Sequence, residues 1–372
     1  MFLLFYLLPF LQPIPQVDKP IQEFMQRYHV PGMSVAITYH GKLVYAKGYG
    51  YADTTTKEKV TAHSLFRIAS VSKTITATAI FKLVDEQKLN IDQTVFGTAG
   101  ILGDEYTPAN ANPNLFKVTV KQLLQHTSGG WPNDGRDPMF RYLKLDANAL
   151  MKRILQEDTL RYPPGEMYMY SNFGYCILGR IIEKVAGESY EEYVRKHVLQ
   201  PAGIQDMHIG GNTISQKKIN EVTYYGQNGE KPYVHNITRM DAHGGWIAST
   251  TDLARLLVAI DGFEDVPDIL RKQSVTEMTT GSSANAGYAS GWAVNMYRNW
   301  WHAGSLPGTA SEIVRTAKGF NWVILCNTRT DKAFFNELDG LLWKAVNNNK
   351  TAWPKLDLFG IYNKIVKTQG HD

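Results

Sequence analysis

The chain has 372 residues, and its 39 Lys and Arg residues against 35 Asp and Glu residues give a net charge of +4. This mild balance excludes the strong basic field that nucleic-acid binding needs, and 44% apolar with 20% charged residues is typical of a globular chain, not of a disordered one. The two cysteines, Cys176 and Cys326, lie in apolar runs, which indicates buried free thiols and leaves a single bridge between them as the alternative.

The first eleven residues, MFLLFYLLPFL, are almost wholly apolar. The run is too short to span a bilayer but has the length of the apolar part of a secretory signal peptide. We interpret residues 1–16 as a signal peptide or N-terminal anchor and predict a secreted or periplasmic protein; a mis-assigned start codon is the alternative, since no basic residue precedes the run. No other stretch is apolar enough to cross a membrane, so we expect no further integral span.

Apolar residues recur along the chain with two periods, a period near 3.6 that predicts helices and a period of 2 that predicts strands. The predicted elements, in chain order, are a helix at 17–29, strands at 33–39 and 42–49, helices at 71–89, 121–126, 148–157, 172–186 and 251–261, strands at 292–297, 310–316 and 321–327, and a helix at 333–346. This order predicts an α+β fold, with one antiparallel sheet shared by both chain ends and flanked by the terminal helices. The middle of the chain would be a large helical insertion, with a cleft between the two lobes.

Several common catalytic motifs do not occur. The sequence has no GxSxG nucleophile elbow, no GxxxxGK[ST] phosphate loop and no GxGxxG dinucleotide turn. It also has no HExxH and no paired CxxC motif, so neither the α/β-hydrolase, P-loop and Rossmann interpretations nor a zinc site has its usual support.

The segment Ser70-Val71-Ser72-Lys73 stands where a strand-rich region ends and a long predicted helix begins. Residues three apart share a helix face, so Lys73 would lie beside Ser70. A serine nucleophile needs a base, and a lysine desolvated in a cleft can lose its proton at neutral pH and act as one. The motif alone is weak, because about one Ser-x-x-Lys is expected by chance in a chain of this length, as residues 215–218 illustrate.

Two further patterns strengthen the interpretation. Tyr170-Ser171-Asn172 precedes the strongest predicted helix, and His302-Ala303-Gly304 lies between two predicted strands. Each pattern has a second copy, at residues 297–299 and 243–245, but the three motifs in this order and on these elements are far rarer by accident than any one of them.

With these motifs, and with FRIASVSKTITA around Ser70, LLQHTSGG at 123–130 and YPPGEMYMYSNFGYCILG before the long helix, the chain resembles the serine β-lactamase and penicillin-binding-protein superfamily. It is most similar to the class C branch, which includes D-peptidases, D-aminopeptidases and carboxylesterases. The resemblance runs from about residue 21 to about residue 346 and implies the serine β-lactamase/DD-peptidase fold.

The same resemblance suggests a division of the chain. It implies a hydrolase domain at 17–350 followed by a C-terminal tail at 351–372. Within that domain we predict an α/β lobe of about 17–89 and 241–350 and a helical lobe of about 90–240.

The resemblance also implies roles for the motif residues. Ser70 would be the acylated nucleophile, Lys73 its general-base partner and Tyr170 a proton shuttle. Which of Lys73 and Tyr170 takes the first proton is left open, because two coupled groups titrate as a pair. Asn172 would hydrogen-bond Lys73 and the carbonyl side of the substrate.

The third motif would form the opposite wall. The resemblance implies that His302 occupies the position of the family's Lys-Thr-Gly lysine, with Gly304 completing the triplet. The backbone N–H groups of Ser70 and Ser305 would form the oxyanion hole. We expect His126 to brace the cleft floor, and the mechanism implies no cofactor and no metal.

The substrate prediction rests on a departure from the family pattern. In place of Lys and Thr, the triplet offers an imidazole, expected to be partly charged near neutral pH, and the methyl group of Ala303. A site with fewer carboxylate partners favours carboxylates poorly, unless one of three arginines compensates: Arg298, Arg315 or Arg329.

We therefore predict a serine hydrolase of small-molecule or short-peptide substrates that acts through an acyl-enzyme, with esters and amides that need no free carboxylate ranked first. D-peptidase activity, as a DD-carboxypeptidase or transpeptidase, ranks second, and β-lactam turnover ranks third. A binding scaffold of the same fold without turnover is the alternative from a different class.

Overall fold

The computed structural model describes residues 13–360. Most of the predicted signal peptide or anchor at 1–16 and part of the predicted tail at 351–372 lie outside these residues. Within the described part of the chain, no helix combines the length and the apolar character that a membrane span requires.

Residues 13–360 form two antiparallel sheets. The larger has seven strands in the order β3-β2-β1-β10-β9-β8-β7, and the smaller has three in the order β4-β6-β5. The strands are β1 Gly32–Tyr39, β2 Lys42–Asp53, β3 Glu58–Lys59, β4 Phe66–Arg67, β5 His208–Ile209, β6 Trp246–Ala248, β7 Ala293–Val294, β8 Trp300–Leu306, β9 Thr309–Arg315 and β10 Phe320–Cys326. The first and last strands pair along their whole length, from Met33 opposite Cys326 to Tyr39 opposite Phe320. The predicted α+β fold with both chain ends in one antiparallel sheet is therefore confirmed.

Eleven α-helices occur within residues 13–360. They are α1 Pro15–Arg27, α2 Ser72–Asp85, α3 Val120–Leu124, α4 Ala147–Glu157, α5 Asn172–Ala186, α6 Tyr190–Val194, α7 Asp241–Gly244, α8 Thr250–Val258, α9 Lys272–Met278, α10 Lys332–Gly340 and α11 Trp343–Val346. Short 3-10 turns connect several of them, and a π-helical turn at Arg195–Leu199 continues α6.

The helices of the two chain ends cover one face of the large sheet. Ile21 and Phe24 of α1 and Phe334 and Leu338 of α10 are buried there, and the ring centroids of Phe24 and Phe334 lie 5.0 Å apart. Removing each such side chain from water contributes about 1.5–3 kcal/mol to folding. The terminal helices thus flank the sheet, as predicted.

The opposite face of the sheet packs on α8 and, beyond it, on the helices that carry two of the sequence motifs, α2 and α5. The bounds of α5 agree with the predicted helix because both ends have strong signals. Ser171 Oγ accepts a hydrogen bond from the Gly174 N–H at the start, and Gly187 adopts φ +74° at the end. Residues 171 and 172 therefore stand at a well-defined helix start.

Several predicted elements differ from the structure. The helix expected at 71–89 spans only Ser72–Asp85, and Ser70 lies in a preceding 3-10 turn, Ala69–Val71. The motif at 302–304, predicted to lie between strands, is the middle of β8, while the strand expected at 292–297 shrinks to two residues. The predicted final helix is broken between Gly340 and Trp343. Gly304 weakens the strand pattern at 302–304 in the sequence, but the sheet accommodates it in β8.

The two cysteines are buried free thiols, as predicted, and do not form the alternative bridge. Cys176 and Cys326 are both free, and both are fully buried. Burial raises the pKa of each thiol, so both remain protonated, as expected of cysteines that serve as small core side chains.

Candidate active site

Ser70 lies on the wall of a cavity of about 400 Å³. The turn that carries it begins with Ala69 at φ +47°, a left-handed conformation that costs a non-glycine residue on the order of 1 kcal/mol or more. Such strain persists only where the surrounding structure enforces it, and here it directs Ser70 into the cavity. The cavity is lined by Ala69, Ser70, Asn133, Phe140, Asn172, His235, Met240, His243, Gly244, Ser305, Leu306, Pro307 and Arg329.

Lys73 is fully buried beneath Ser70 and has three hydrogen-bond partners. In its protonated form, its Nζ donates to Ser70 Oγ at 3.1 Å, to Asn172 Oδ1 at 2.7 Å and to the backbone carbonyl of His243 at 2.8 Å. Burial lowers the pKa of Lys73 to about 7, and the negative charge of Asp137 opposes that shift. A substantial fraction of the lysine is therefore neutral at physiological pH.

The partners of Lys73 also fix the direction of its lone pair. A neutral amine has two N–H groups and one lone pair. The oxygens of Asn172 and of the His243 carbonyl can only accept, so the two N–H groups point to them. Ser70 is the one partner of the three that carries a proton to share, and the lone pair consequently faces its hydroxyl. This is the arrangement that a general base requires.

The ring of Tyr170 packs against the amine of Lys73. Its ring centroid is 4.9 Å from Lys73 Nζ and 4.2 Å from the ring of His126. Burial raises the pKa of Tyr170 above its usual value of 10, and a hydrogen bond to Ser70 partly opposes that rise. At neutral pH the phenol therefore keeps its proton in the unliganded site.

A chain of buried hydrogen bonds crosses the site behind Tyr170. The Ser171 N–H donates to His126 Nδ1 at 3.1 Å, so His126 holds its proton on Nε2 and donates it to Tyr288 Oη at 3.2 Å. Tyr288 must then donate its own proton to His302 Nε2 at 3.0 Å, and the remaining His302 Nδ1–H donates to the Ala303 carbonyl at 2.7 Å. When all the groups donate in this order, every donor in the chain has an acceptor. His126 therefore braces the side of the site behind Tyr170.

This chain corrects the expected charge of His302. Burial and the nearby Lys73 lower the pKa of His302 to about 3, so the imidazole is neutral at every physiological pH and not partly charged. Both of its nitrogens are already engaged, by Tyr288 and by the Ala303 carbonyl. The side chain lies beside the other site residues but offers no free N–H to a substrate.

Gly304 and Ser305 bring β8 next to the nucleophile. A Cβ at position 304 would lie 2.2 Å from the Ile68 carbonyl oxygen and 3.1 Å from the backbone nitrogen of Ser70, so only glycine permits this approach. Ser305, the next residue, lines the cavity together with Ser70. The arrangement brings together the two residues whose N–H groups are predicted to form an oxyanion hole.

Of the three candidate arginines, only Arg329 reaches the cavity. Its Nη1 donates to Ser305 Oγ at 2.7 Å, and its Nε and Nη2 donate to Glu230 Oε1 at 2.8 and 2.6 Å. Arg315 instead donates to the carbonyls of Asp261 and Arg298, away from the cavity. One cation, partly neutralised by Glu230, therefore stands at the Ser305 end of the cavity.

Two groups at the site were missed by the sequence analysis. Asp137 is buried behind Asn172 and accepts a hydrogen bond from Asn172 Nδ2 at 2.7 Å. The His243 carbonyl is the third partner of Lys73, so residues 243–245, a chance copy of the third motif by sequence, contribute to the site through the backbone. The Asp137-Pro138 pair is a local signal for a helix cap, but nothing in the sequence connects it to Asn172. Within residues 13–360, no group of three or more His, Cys, Asp or Glu side chains could hold a metal ion.

Comparisons with known proteins agree with the fold. Protein flp of Staphylococcus aureus strain MW2 is 30% identical over 326 residues, which cover 85% of this chain but only 63% of that relative's length. The octameric penicillin-binding protein homologue from Pyrococcus abyssi has a TM-score of 0.71 at 26% identity, over 96% of this chain and 82% of that one. The D-amino acid amidase from Ochrobactrum anthropi SV3 shares the fold with a TM-score of 0.72 at 24% identity, over 89% and 98%. The model of the beta-lactamase family matches residues 17–347, and the chain therefore belongs to that family.

Proposed function

We propose that this protein is a serine hydrolase that cleaves esters or amides through a covalent acyl-enzyme on Ser70. The observation that carries the proposal is the environment of Lys73: a fully buried amine with its lone pair directed at Ser70 Oγ, 3.1 Å away, and with its other two partners able only to accept. A structural lysine would have no need of such an arrangement, since a buried cation is stabilised best by a direct carboxylate partner.

The proposed reaction has two halves. In acylation, Ser70 Oγ bonds to the substrate carbonyl carbon while its proton passes to Lys73, and the carbonyl oxygen takes the negative charge. The bond to the leaving alcohol or amine then breaks, and that group receives a proton from Lys73, either directly or from Tyr170, which Lys73 then reprotonates. In deacylation, water adds to the acyl carbon and gives its proton to the same pair of groups. Ser70 Oγ leaves with a proton, and the free acid is released.

The chemistry of the cavity favours substrates without a required carboxylate. His302 is neutral, and both of its nitrogens are engaged, so it offers neither a charge nor a free N–H to a substrate carboxylate. Phe140, Met240 and Leu306 contribute an apolar wall, which suits an aliphatic or aromatic acyl group. We therefore place esters and simple amides first.

Arg329 favours a second candidate, the hydrolysis of peptides or amides that carry a carboxylate. Its guanidinium reaches the cavity beside Ser305, at the end where a substrate carboxylate could displace part of its contact with Glu230. Such an enzyme would act on D-peptides, as a carboxypeptidase or transpeptidase. The shared fold with a D-amino acid amidase is compatible with either candidate.

The proposed function is tested by treating the protein with a fluorophosphonate probe and locating the label by peptide mass spectrometry. We expect covalent label on Ser70, formed as Oγ bonds to phosphorus and fluoride departs, and no label in Ser70→Ala. Ser72→Ala, two residues away on the same segment, is the matched control and should still be labelled. Folded protein that stays unlabelled at Ser70 would instead favour the binding scaffold.

Replacing Arg329 by Gln separates the two candidates, because the shorter amide keeps a polar donor on the Glu230 side but removes the charge. If carboxylates are bound here, kcat/KM for a carboxylate-bearing ester should fall about 10- to 100-fold relative to its neutral methyl-ester counterpart, the usual strength of a hydrogen bond between charged groups. The measurement is the ratio of kcat/KM for the matched pair. A ratio that does not change removes the support for the second candidate.

A further inference from the structure

Asp137 continues a line of hydrogen bonds from the nucleophile into the core. Ser70 contacts Lys73, Lys73 Nζ donates to Asn172 Oδ1 at 2.7 Å, and Asn172 Nδ2 donates to Asp137 Oδ2 at 2.7 Å. The other carboxylate oxygen of Asp137 accepts from the Met139 N–H at 2.8 Å. Asp137 is only 3% exposed, so water cannot replace these partners.

The amide of Asn172 could face either way, since its two ends have nearly the same size. An ionised carboxylate can only accept hydrogen bonds, so Asp137 requires the NH₂ end of Asn172 on its side. The oxygen end is then left for Lys73. In the flipped orientation Asn172 would present N–H groups to Lys73, and the lone pair of the neutral amine would turn toward them and away from Ser70.

We propose that Asp137 is a positioning residue for the nucleophile: it fixes the orientation of Asn172 and thereby directs the lone pair of Lys73 at Ser70. Its negative charge also favours the protonated form of Lys73, against the effect of burial. The inference rests on the proposed function, because the direction of the lone pair matters only if Lys73 takes the proton of Ser70.

The groups around Lys73 define what a change of charge at Asp137 would alter. Asp137 is the acidic neighbour that acts on Lys73, and the other titratable side chains that face it are tyrosines and histidines held neutral by burial: Tyr170, Tyr175, His126, His243 and His302. Ser70, Asn172 and the His243 carbonyl complete the contacts. The charge state of Lys73 is therefore sensitive to Asp137.

The test exchanges the two side chains. In Asp137→Asn, the new NH₂ group should turn Asn172 around, and the rate of Ser70 labelling by the fluorophosphonate should fall about 100-fold, as a misdirected reactive group commonly costs. In the double variant Asp137→Asn, Asn172→Asp, every donor again meets an acceptor, and labelling should recover at least tenfold over the single variant.

The pH dependence of Ser70 labelling is a second measurement, because a purely structural role of Asp137 would leave it unchanged. Loss of the charge in Asp137→Asn should shift the acid limb of the rate profile to lower pH. The double variant places a carboxylate directly on Lys73, so its acid limb should shift to higher pH than in the wild type.

Asp261→Asn is the matched control, because Asp261 has the same pair of contacts elsewhere in the fold. Its Oδ1 accepts from the Phe263 N–H at 3.0 Å, its Oδ2 accepts from Asn321 Nδ2 at 2.9 Å, and it is also 3% exposed. Its substitution should lower the melting temperature and leave the labelling rate and the pH profile as in the wild type.

The outcomes separate the inference from the proposed function. Wild-type protein without label on Ser70 would overturn both. Labelled wild type, with Asp137→Asn reacting at the same rate or a folded double variant no faster than the single one, would overturn the role of Asp137 alone. If Asp137→Asn does not fold, the double variant is compared with the wild type. An acid limb at higher pH in the double variant supports the role of Asp137, and an acid limb at the wild-type pH overturns it.

Discussion

Lys73→Met is expected to lower the rate of Ser70 acylation by about 10³-fold at pH 8, within the range that general-base catalysis contributes. Methionine has a similar length but neither a basic lone pair nor a charge. Tyr170 cannot replace the lost base, because burial raises its pKa and keeps it protonated. The measurement is the second-order rate of fluorophosphonate labelling, together with kcat/KM for a neutral ester.

Lys82→Met is the control for this variant, since Lys82 belongs to the same helix and donates to the Ile269 carbonyl on its far side at 3.1 Å. It should react like the wild type, and thermal unfolding of both variants checks that each is folded. A loss of less than about tenfold in Lys73→Met would assign the first proton transfer to Tyr170 instead, and Tyr170→Phe would then show the larger effect.

The rate of Ser70 labelling is expected to rise with pH and to level off above about 7, where Lys73 loses its proton. Well below that value the neutral fraction falls tenfold for each pH unit, so the rate at pH 5 should be about 100-fold below the plateau and about 50-fold below the rate at pH 7. The histidines of the site cannot produce this limb, because burial lowers the pKa of His126, His243 and His302. A rate that is flat across this range, or that falls as pH rises, would contradict the assignment of Lys73 as the base.

The same titration affects stability with a defined sign. A lysine in the unfolded chain has its ordinary pKa of 10.5, whereas Lys73 in the folded protein has a pKa of about 7. Between these values the unfolded state binds more protons, so the free energy of unfolding contributed by Lys73 increases as pH rises from about 7 toward 10.5. At neutral pH the burial of Lys73 therefore lowers the free energy of unfolding.

Much of the fold and part of the site could be predicted because the signals are local. Ser70 and Lys73 are three residues apart on one segment, and the spacing alone predicts their contact. The helix at 172–186 has a capping serine before it and Gly187 after it, so its ends agree with the structure. The shared sheet of the two chain ends followed from the order of strands and helices.

The remainder depends on contacts that no local pattern contains. Asp137 meets Asn172 across 35 positions, and Arg329 meets Ser305 across 24. The motif at 302–304 was misread as a connection because glycine disfavours strands. Here the absence of a Cβ at Gly304 is what allows β8 to pass beside Ser70. The charge of His302 was wrong for a similar reason, since its neutral state is imposed by burial and by Tyr288.

The pairing of β1 with β10 has a consequence for how the protein acquires activity. Ser70 is delivered by the early part of the chain and Ser305 by β8, which is joined to β1 only through β9 and β10. Contacts so distant in sequence form slowly, because closing the long chain segment between them costs conformational entropy before the contacts can stabilise the fold. A chain still emerging from the ribosome would already contain Ser70 and Lys73 but not the opposite wall of the cavity. Reactivity of Ser70 should therefore arise only in the last phase of folding, when β8 takes its place in the sheet.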